Sequence, residues 1–206
     1  MVINKASLTD QIYNLLKQKI LQREFELGQQ LKTRQIAEDN GISLMPVRDA
    51  LRRLSNEGLV DNKPRVGFFV KNFSENEIND ILEVRKMHEL YCLENYFAEI
   101  NRQEIKKLEG KFEKNSSASF FNRYDIKLHQ EIVKASHNQY LIDSYFKLIN
   151  HFTMLFNYLN HKRSKFSRQE HTELVNCILN NNKEKAYRLL YRHLDRVEIA
   201  ADAKLD

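Results

Sequence analysis

The apolar positions follow a helical pattern over most of the chain. Leu8, Ile12, Leu15, Leu16, Ile20 and Leu21 recur at helical spacing, which predicts a helix over about 8–23. Gly28 follows in a turn. Thr33 is placed to cap a short helix over 34–39, with Gly41 in the C-terminal stop position. Ser43 is placed to cap a further helix that runs to about Glu57. Pro46 falls in its first turn, where the missing N–H breaks no helical bond, and Gly58 ends it. Residues 59–62 and 68–71 are then β-prone. Between them lies the turn Lys63-Pro64-Arg65-Val66-Gly67. Three helices followed by a hairpin is the order of a winged helix-turn-helix.

After Lys71 the strand signals vanish. Ser74 and Glu77 form a capping box that opens a helix to about Ile100. Asn101 and Glu104 mark another start, with helix to about Lys114. A polar break at 115–119 precedes helices over about 119–136 and 139–161. Ser167 and Glu170 read as a third capping box, with helix to about Leu179. Asn180-Asn181-Asn182 then breaks the pattern before a last helix over about 183–201. The expected fold is mainly α: a winged helix-turn-helix over 1–72, then an all-α bundle of six helices over 73–206.

Composition narrows the class of protein. The chain has 206 residues, 42% hydrophobic and 30% charged, with only five Gly and two Pro. Such values disfavour a long all-β protein and fit a soluble one. No apolar run reaches the roughly 18 residues that a spanning helix needs, so no membrane partner is expected. Residues 1–10 lack the apolar stretch of a signal peptide, and Cys92 and Cys177 stand alone without CxxC spacing. The expectation is a cytoplasmic protein with reduced thiols. The charge is uneven. Residues 1–72 carry 12 Lys and Arg against 8 Asp and Glu, whereas residues 73–206 carry 21 against 20. The basic excess lies in the predicted winged helix, which hints at a nucleic-acid partner there.

The helix opening at Ser43 would present its first turns to base edges. Arg48 and Arg52 sit one turn apart on it, and Arg can bind guanine O6 and N7 with two parallel hydrogen bonds. Arg34 begins the preceding helix and is placed for a base or a phosphate. Arg52, Arg53, Lys63 and Arg65 suit phosphates, and Gly67 would let the wing approach the minor groove closely. In the second half, Asp125 and His129 share one helix face, His171 lies early in the fifth helix of the bundle, and His193 sits among apolar neighbours in the sixth. An acid and three His can bind a divalent metal; spacing alone equally allows a buried His set held by hydrogen bonds. His88 is a candidate to line a pocket with Tyr124, Tyr145, Phe152 and Phe156, although aromatic residues at helical spacing are usually core. His137, His151 and His161 read as surface or structural.

The run Ile42-Ser43-Leu44-Met45-Pro46-Val47-Arg48-Asp49-Ala50-Leu51-Arg52-Arg53-Leu54, with Glu57-Gly58-Leu59-Val60 after it, resembles the recognition helix of GntR-family regulators. Pro64, Arg65, Gly67 and Val70 are similar to the wing of that family. The resemblance implies DNA contacts at Arg34 and Arg48, and puts Ser43, Leu44, Pro46, Arg52, Arg65 and Gly67 in the same interface. One position departs from the pattern: members often carry Arg where this chain has Leu44. The change removes a guanine contact, and Leu44 or Met45 offers an apolar surface to a thymine methyl instead.

Asp125-x3-His129, Glu170-His171 and Ala186…Arg192-His193-Leu194 resemble the all-helical FCD effector domain of the FadR-type subfamily, in its six-helix, VanR-like form. The resemblance implies an Asp125–His129–His171–His193 metal site, with Zn2+ first and Ni2+ or another divalent ion as alternatives. Arg85 and Glu89 match the first helix of that domain, which implies that Arg85 helps hold a small carboxylic-acid effector. The expected protein is a metabolite-responsive regulator, a repressor by preference. It would bind a double-stranded operator as a homodimer, since two-fold symmetry matches two half-sites. A direct metal sensor and a metal-dependent hydrolase are the alternatives. The hydrolase leaves the winged helix unexplained, and no P-loop, Rossmann glycine pattern or nucleophile elbow is present, so no enzyme is expected.

Overall fold

The computed structural model describes residues 7–112, 118–159 and 164–202, with side chains over 7–112, 121–155 and 167–196. The chain divides into two compact units, Met1–Phe73 and Ser74–Asp206. No helix among the described residues is long and apolar enough to cross a membrane.

In the first unit, α1 (Leu8–Leu21) buries Ile12, Tyr13, Leu16 and Ile20 on one face. Its start is a capping box closed by Asp10 on Ser7. A two-residue strand, β1 (Gln30–Leu31), leads into α2 (Thr33–Asp39). The expected cap is displaced here. Lys32 is the last extended residue and its carbonyl accepts from Ile36, so Thr33 is already helical and caps nothing. Ser43 does take the cap position of α3 (Leu44–Asn56), but its side chain makes no capping bond. The buried face of α3 is Val47, Ala50, Leu51 and Leu54. The wing strands are β2 (Val60–Lys63) and β3 (Gly67–Val70), antiparallel from Val60↔Val70 to Lys63↔Gly67. β1 joins the other edge of β3, which gives the order β1-β3-β2. Two residues carry too little pattern for β1 to be seen in the sequence.

The wing turn uses two unusual backbones. Arg65 has φ 64 and Gly67 has φ 140. A Cβ on Gly67 would sit 3.1 Å from Gln30 Nε2, the amide that donates to Val66 O. Glycine is therefore required here by the backbone itself, before any role at a minor groove.

The second unit holds six α-helices among the described residues: α4 (Glu75–Tyr96), α5 (Arg102–Lys106), α6 (Ala118–Lys134), α7 (Gln139–Leu159), α8 (Ser164–Leu179) and α9 (Lys183–Asp202). The Ser74–Glu77 capping box opens α4 as expected. α4 stops four residues early because Tyr96 turns to φ −127 and Phe97–Glu99 form a 3-10 turn that buries Phe97. Asn101 caps α5 by accepting from Gln103 and Glu104, but α5 is short; tight turns with Gly110 at φ 67 follow it, not helix. Ser167 is not a cap either. α8 begins three residues before it, so Ser167 lies inside the helix and its carbonyl faces His171. Leu93, Leu108, Phe112, Leu128, Ile132, Leu174, Ile178, Ala186 and Leu190 lie in the core that joins these helices. The readings of His161 and Phe156 fall outside the described side chains, and the polar break falls largely outside the described residues.

Candidate functional site

Two faces carry chemistry. In the first unit, Arg34, Arg48, Arg52, Lys63, Arg65 and Gly67 line one groove of about 710 Å³, together with Lys32 and Gln30. α3 supplies two of these arginines at i and i+4, and the β2–β3 turn supplies the wing cations. Glu38 is the one acid on the lining. Arg52 has a loose partner in Asp49 at 3.6 Å, with both exposed. Ser43 and Leu44 border a shallower depression beside Arg34, and Pro46 is half-buried in the first turn of α3.

Arg53 departs from the expectation of a phosphate contact. Its guanidinium lies 3.8 Å over the Tyr13 ring and donates to Asp10 Oδ1 at 2.9 Å. Tyr13 Oη and Lys17 Nζ both donate to Glu57, at 2.6 and 2.7 Å. Burial pushes the Glu57 carboxyl up, but Lys17 and Tyr13 more than offset it and hold the group below its usual range. Arg53 therefore ties α3 to α1.

In the second unit, Asp125, His129, His171 and His193 come together. Each offers one ligand atom, all four atoms lie within 4.8 Å of one another, and all four residues are buried. Three helices build the cluster: α6 contributes Asp125 and His129, α8 His171 and α9 His193. Asp125 Oδ1 is 2.6 Å from His171 Nε2 and 3.7 Å from His129 Nε2, and the Nε2 atoms of His129 and His171 are 3.2 Å apart.

The outward nitrogens explain why the inward ones converge. His129 Nδ1 donates to Glu89 Oε2 at 2.5 Å, His171 Nδ1 to the Ser167 carbonyl at 2.6 Å, and His193 Nδ1 to Glu170 Oε2 at 3.0 Å. Carboxylates and carbonyls only accept, so each bond puts a proton on Nδ1 and turns Nε2 toward the centre, where an ion would take the place of the proton shared between His171 Nε2 and Asp125 Oδ1. Phe112 stacks on His171 at 5.0 Å and Phe121 meets it edge-on at 5.5 Å, which fixes that ring further. The donor set thus fits a divalent ion of zinc type: nitrogen and oxygen ligands, rings anchored through Nδ1 and a buried setting.

Arg85, expected to hold an effector, lies 2% exposed with its Nε donating to Glu89 Oε1 at 2.7 Å. Tyr145 Oη donates to the same oxygen at 2.7 Å. One carboxylate therefore serves Arg85, Tyr145 and His129. Burial pushes the Glu89 carboxyl up, yet Arg85 and His129 bring it down to about 2. Burial likewise raises Asp125, and His171 with His129 outweighs it and holds the group well below the usual carboxylate range. His193 is pushed well below its ordinary value by burial and by the His171 and His129 rings. His129 moves the other way, since Glu89 outweighs its burial.

The remaining expectations divide. Tyr145 and Phe152 are buried against Arg85 and Glu89, with Arg85 Cζ 5.6 Å from the Phe152 ring centre. Tyr124 is half-buried against the core. His88 turns to the Val84 carbonyl and Ser144 Oγ, both at 2.7 Å. The supporting acids leave little trace in the sequence. Glu89 was visible only as a partner of Arg85 at i+4, and nothing in the spacing of residues 170 and 193 points to their contact.

A helix-turn-helix with a cationic wing groove, followed by a helical domain around a four-donor cluster, defines a two-domain DNA-binding regulator. The sequence matches the family described as bacterial regulatory proteins, gntR family, over residues 8–70, and the FCD domain over residues 80–196. The chain belongs to the gntR family of transcriptional regulators and carries an FCD domain. It is 27% identical over 194 residues to YdhC, an HTH-type transcriptional regulator of Bacillus subtilis, covering 90% of this chain and 87% of that protein. It is also 27% identical over 145 residues to the gluconate operon transcriptional repressor of Bacillus subtilis, covering 68% of this chain and 59% of the repressor. Among solved structures it is similar to the FCD domain of TM0439. Both the metal-free and the Zn2+-bound forms of that domain align with a TM-score of 0.59 at 32% identity, covering 65% of this chain and 97% of that one.

Proposed function

We propose that this regulator binds a two-fold operator as a homodimer, and that a small carboxylic acid reaching the Asp125–His129–His171–His193 centre alters its hold on DNA. The observation that carries the reading is the set of Nδ1 bonds that aims three Nε2 atoms and Asp125 Oδ1 into one buried volume. Asp125, His129, His171 and His193 would hold Zn2+, the ion bound by the FCD domain of TM0439. Once bound, the ion supplies a Lewis-acidic position for a carboxylate oxygen.

Formal charge supports an anionic effector. Asp125 and Glu89 are two negative charges and Arg85 is one positive, so a divalent ion leaves the centre one positive in excess. A monocarboxylate cancels it. Arg85 would share its guanidinium with such a ligand, because Glu89 already holds its Nε. The gluconate operon relative supports a repressor. Cys92 and Cys177, both buried free thiols, suit a reducing cytoplasm.

A binding role is favoured over hydrolysis. A hydrolase needs an unengaged base near the metal water. Glu89 is held by three donors, and Glu170 is held by His193 and Arg196.

The test measures metal per chain in purified protein, and then operator affinity against a panel of small carboxylates with and without Zn2+. His193→Ala should lose the metal, and carboxylates should shift operator affinity only in metal-loaded protein. Unchanged metal content in His193→Ala removes that residue from the centre. Metal alone shifting operator affinity, with no carboxylate effect, replaces the effector reading by a direct metal sensor.

The two arginine environments on α3 give a paired expectation. Arg48→Ala should weaken operator binding by about 1–3 kcal/mol and relax base preference. Arg53→Ala should instead cost roughly 1 kcal/mol of fold stability, mostly through the lost stack on Tyr13, because its ion pair with Asp10 is half exposed and screened. The slope of affinity against salt should be unchanged in Arg53→Ala. A shallower slope would return that residue to the phosphate contacts.

A further inference from the structure

The N-terminal end of α3 carries an apolar tip on an otherwise cationic face. Leu44 is 38% exposed and Met45 is 59% exposed, and both belong to the few large apolar side chains that the first unit leaves in solvent. They are the first two residues of α3, directly after the exposed Ser43. They border a depression whose other walls include Arg34 and Ile42. Arg48 lies one turn further along the helix, on the face of Leu44 and Met45, and Arg52 one turn beyond that.

Neither side chain lies in the core, although Leu44 is more than half covered. The buried face of α3 is complete with Val47, Ala50, Leu51 and Leu54, all at 0% exposure, so Leu44 and Met45 are not core residues with a loose fit. Their exposure costs hydration free energy in the unbound protein. In the major groove, bases offer one apolar group to a side chain, the thymine 5-methyl. Arg and Lys elsewhere on this face suit guanine and phosphate. The tip itself has no hydrogen-bonding side chain apart from Ser43.

We infer that Leu44 and Met45 are specificity-determining residues that read thymine methyl groups at one end of each operator half-site. The inference rests on the DNA-binding reading proposed above and adds the base it selects. Helix geometry sets the spacing. Leu44 and Arg48 are separated by about 6 Å along the axis and base pairs by about 3.4 Å, so the thymine lies about one to two steps from the base that Arg48 contacts. Each half-site therefore joins a methyl-bearing position to the base read by Arg48.

The test uses the tightest duplex recovered from a random-sequence library on the full chain. Each thymine of the half-site is replaced in turn by deoxyuridine, which removes the methyl and keeps the hydrogen-bonding edge. One replacement near the Arg48 base should weaken binding by about threefold to fivefold, the worth of one buried methyl. Leu44→Ala/Met45→Ala should bind the thymine duplex correspondingly more weakly and lose the distinction between thymine and deoxyuridine. Neither position is in the core, so the variant should keep the circular dichroism of the wild type and melt within about a few degrees of it, and binding is compared well below both melting points. Deoxyuridine without effect at every position, or with an equal effect in the double variant, overturns the inference and leaves the regulator reading standing. A library that yields no preferred duplex overturns the DNA-binding reading and this inference with it.

Discussion

Replacing Glu89 with Ala should cost about 3–5 kcal/mol of folding stability, a large part of the roughly 5–15 kcal/mol a domain has in total. The size follows from what the carboxylate holds. Glu89 is fully buried and accepts from Arg85 Nε, Tyr145 Oη and His129 Nδ1 at 2.7, 2.7 and 2.5 Å. Alanine removes the closest countercharge of a guanidinium that is itself 2% exposed. Water cannot replace it there without opening the core between α4, α6 and α7. Glu89→Gln keeps the shape and part of the bonding but loses the charge, so it should fall between wild type and Ala. The expected order in urea midpoint, in metal-free buffer, is wild type, Gln, Ala. A double-mutant cycle sharpens the test. Arg85→Met removes the charge that Glu89→Ala strands, so the double variant should be more stable than the sum of the single losses. An Ala variant within 1 kcal/mol of wild type would mean that Asp125 or another group takes over Arg85, and that the carboxylate is not the keystone of this network.

The same network marks the limit of what sequence could reveal. Asp125 and His129 were legible because helical period puts i and i+4 on one face, and His193 because its neighbours on α9 are apolar. The winged helix was legible through Pro46, the glycines that end each element, and the wing turn. The outer acids were not. Glu170 looked like the closing residue of a capping box on Ser167, yet α8 starts earlier, which frees this side chain to reach across to His193 and Arg196. Thr33 failed as a cap for a related reason: β1 keeps the chain extended only as far as Lys32. Arg53 looked like one more surface cation, because the ring it stacks on lies forty residues away in sequence. Local pattern sets elements and faces; tertiary contact decides which of two sensible partners a charged group takes.

Removing the ion proposed for the Asp125–His129–His171–His193 centre should loosen the helical domain without unfolding it. An ion present at about 100 to 1,000 times its dissociation constant adds about 2.7–4.1 kcal/mol. The apolar core around Leu93, Leu128, Ile132, Leu174 and Leu190 does not depend on it. Hydrogen exchange after chelation should therefore rise in peptides from α6, α8 and α9, and stay unchanged in peptides from residues 8–70. Proton competition sets the pH at which the same loss occurs in acid. The ion and a proton compete for each Nε2 lone pair. His193 is held well below the ordinary value of 6.5, chiefly by burial, so it is already neutral near pH 6.5 and gives up no proton on binding. Burial also lowers His129, but Glu89 outweighs it and the folded value rises above 6.5. In the metal-free protein that proton stabilises the fold below pH 6.5, and the gain disappears as pH rises through the raised value. Metal affinity has the opposite slope. It should be level above the raised His129 value and fall by about tenfold per pH unit below it. Glu89→Gln takes away the charge that raises His129, so its break should move to lower pH even where overall affinity is weaker. A break at the same pH in wild type and Glu89→Gln would mean that His129 does not set the proton competition, and that its bond to Glu89 only orients the ring.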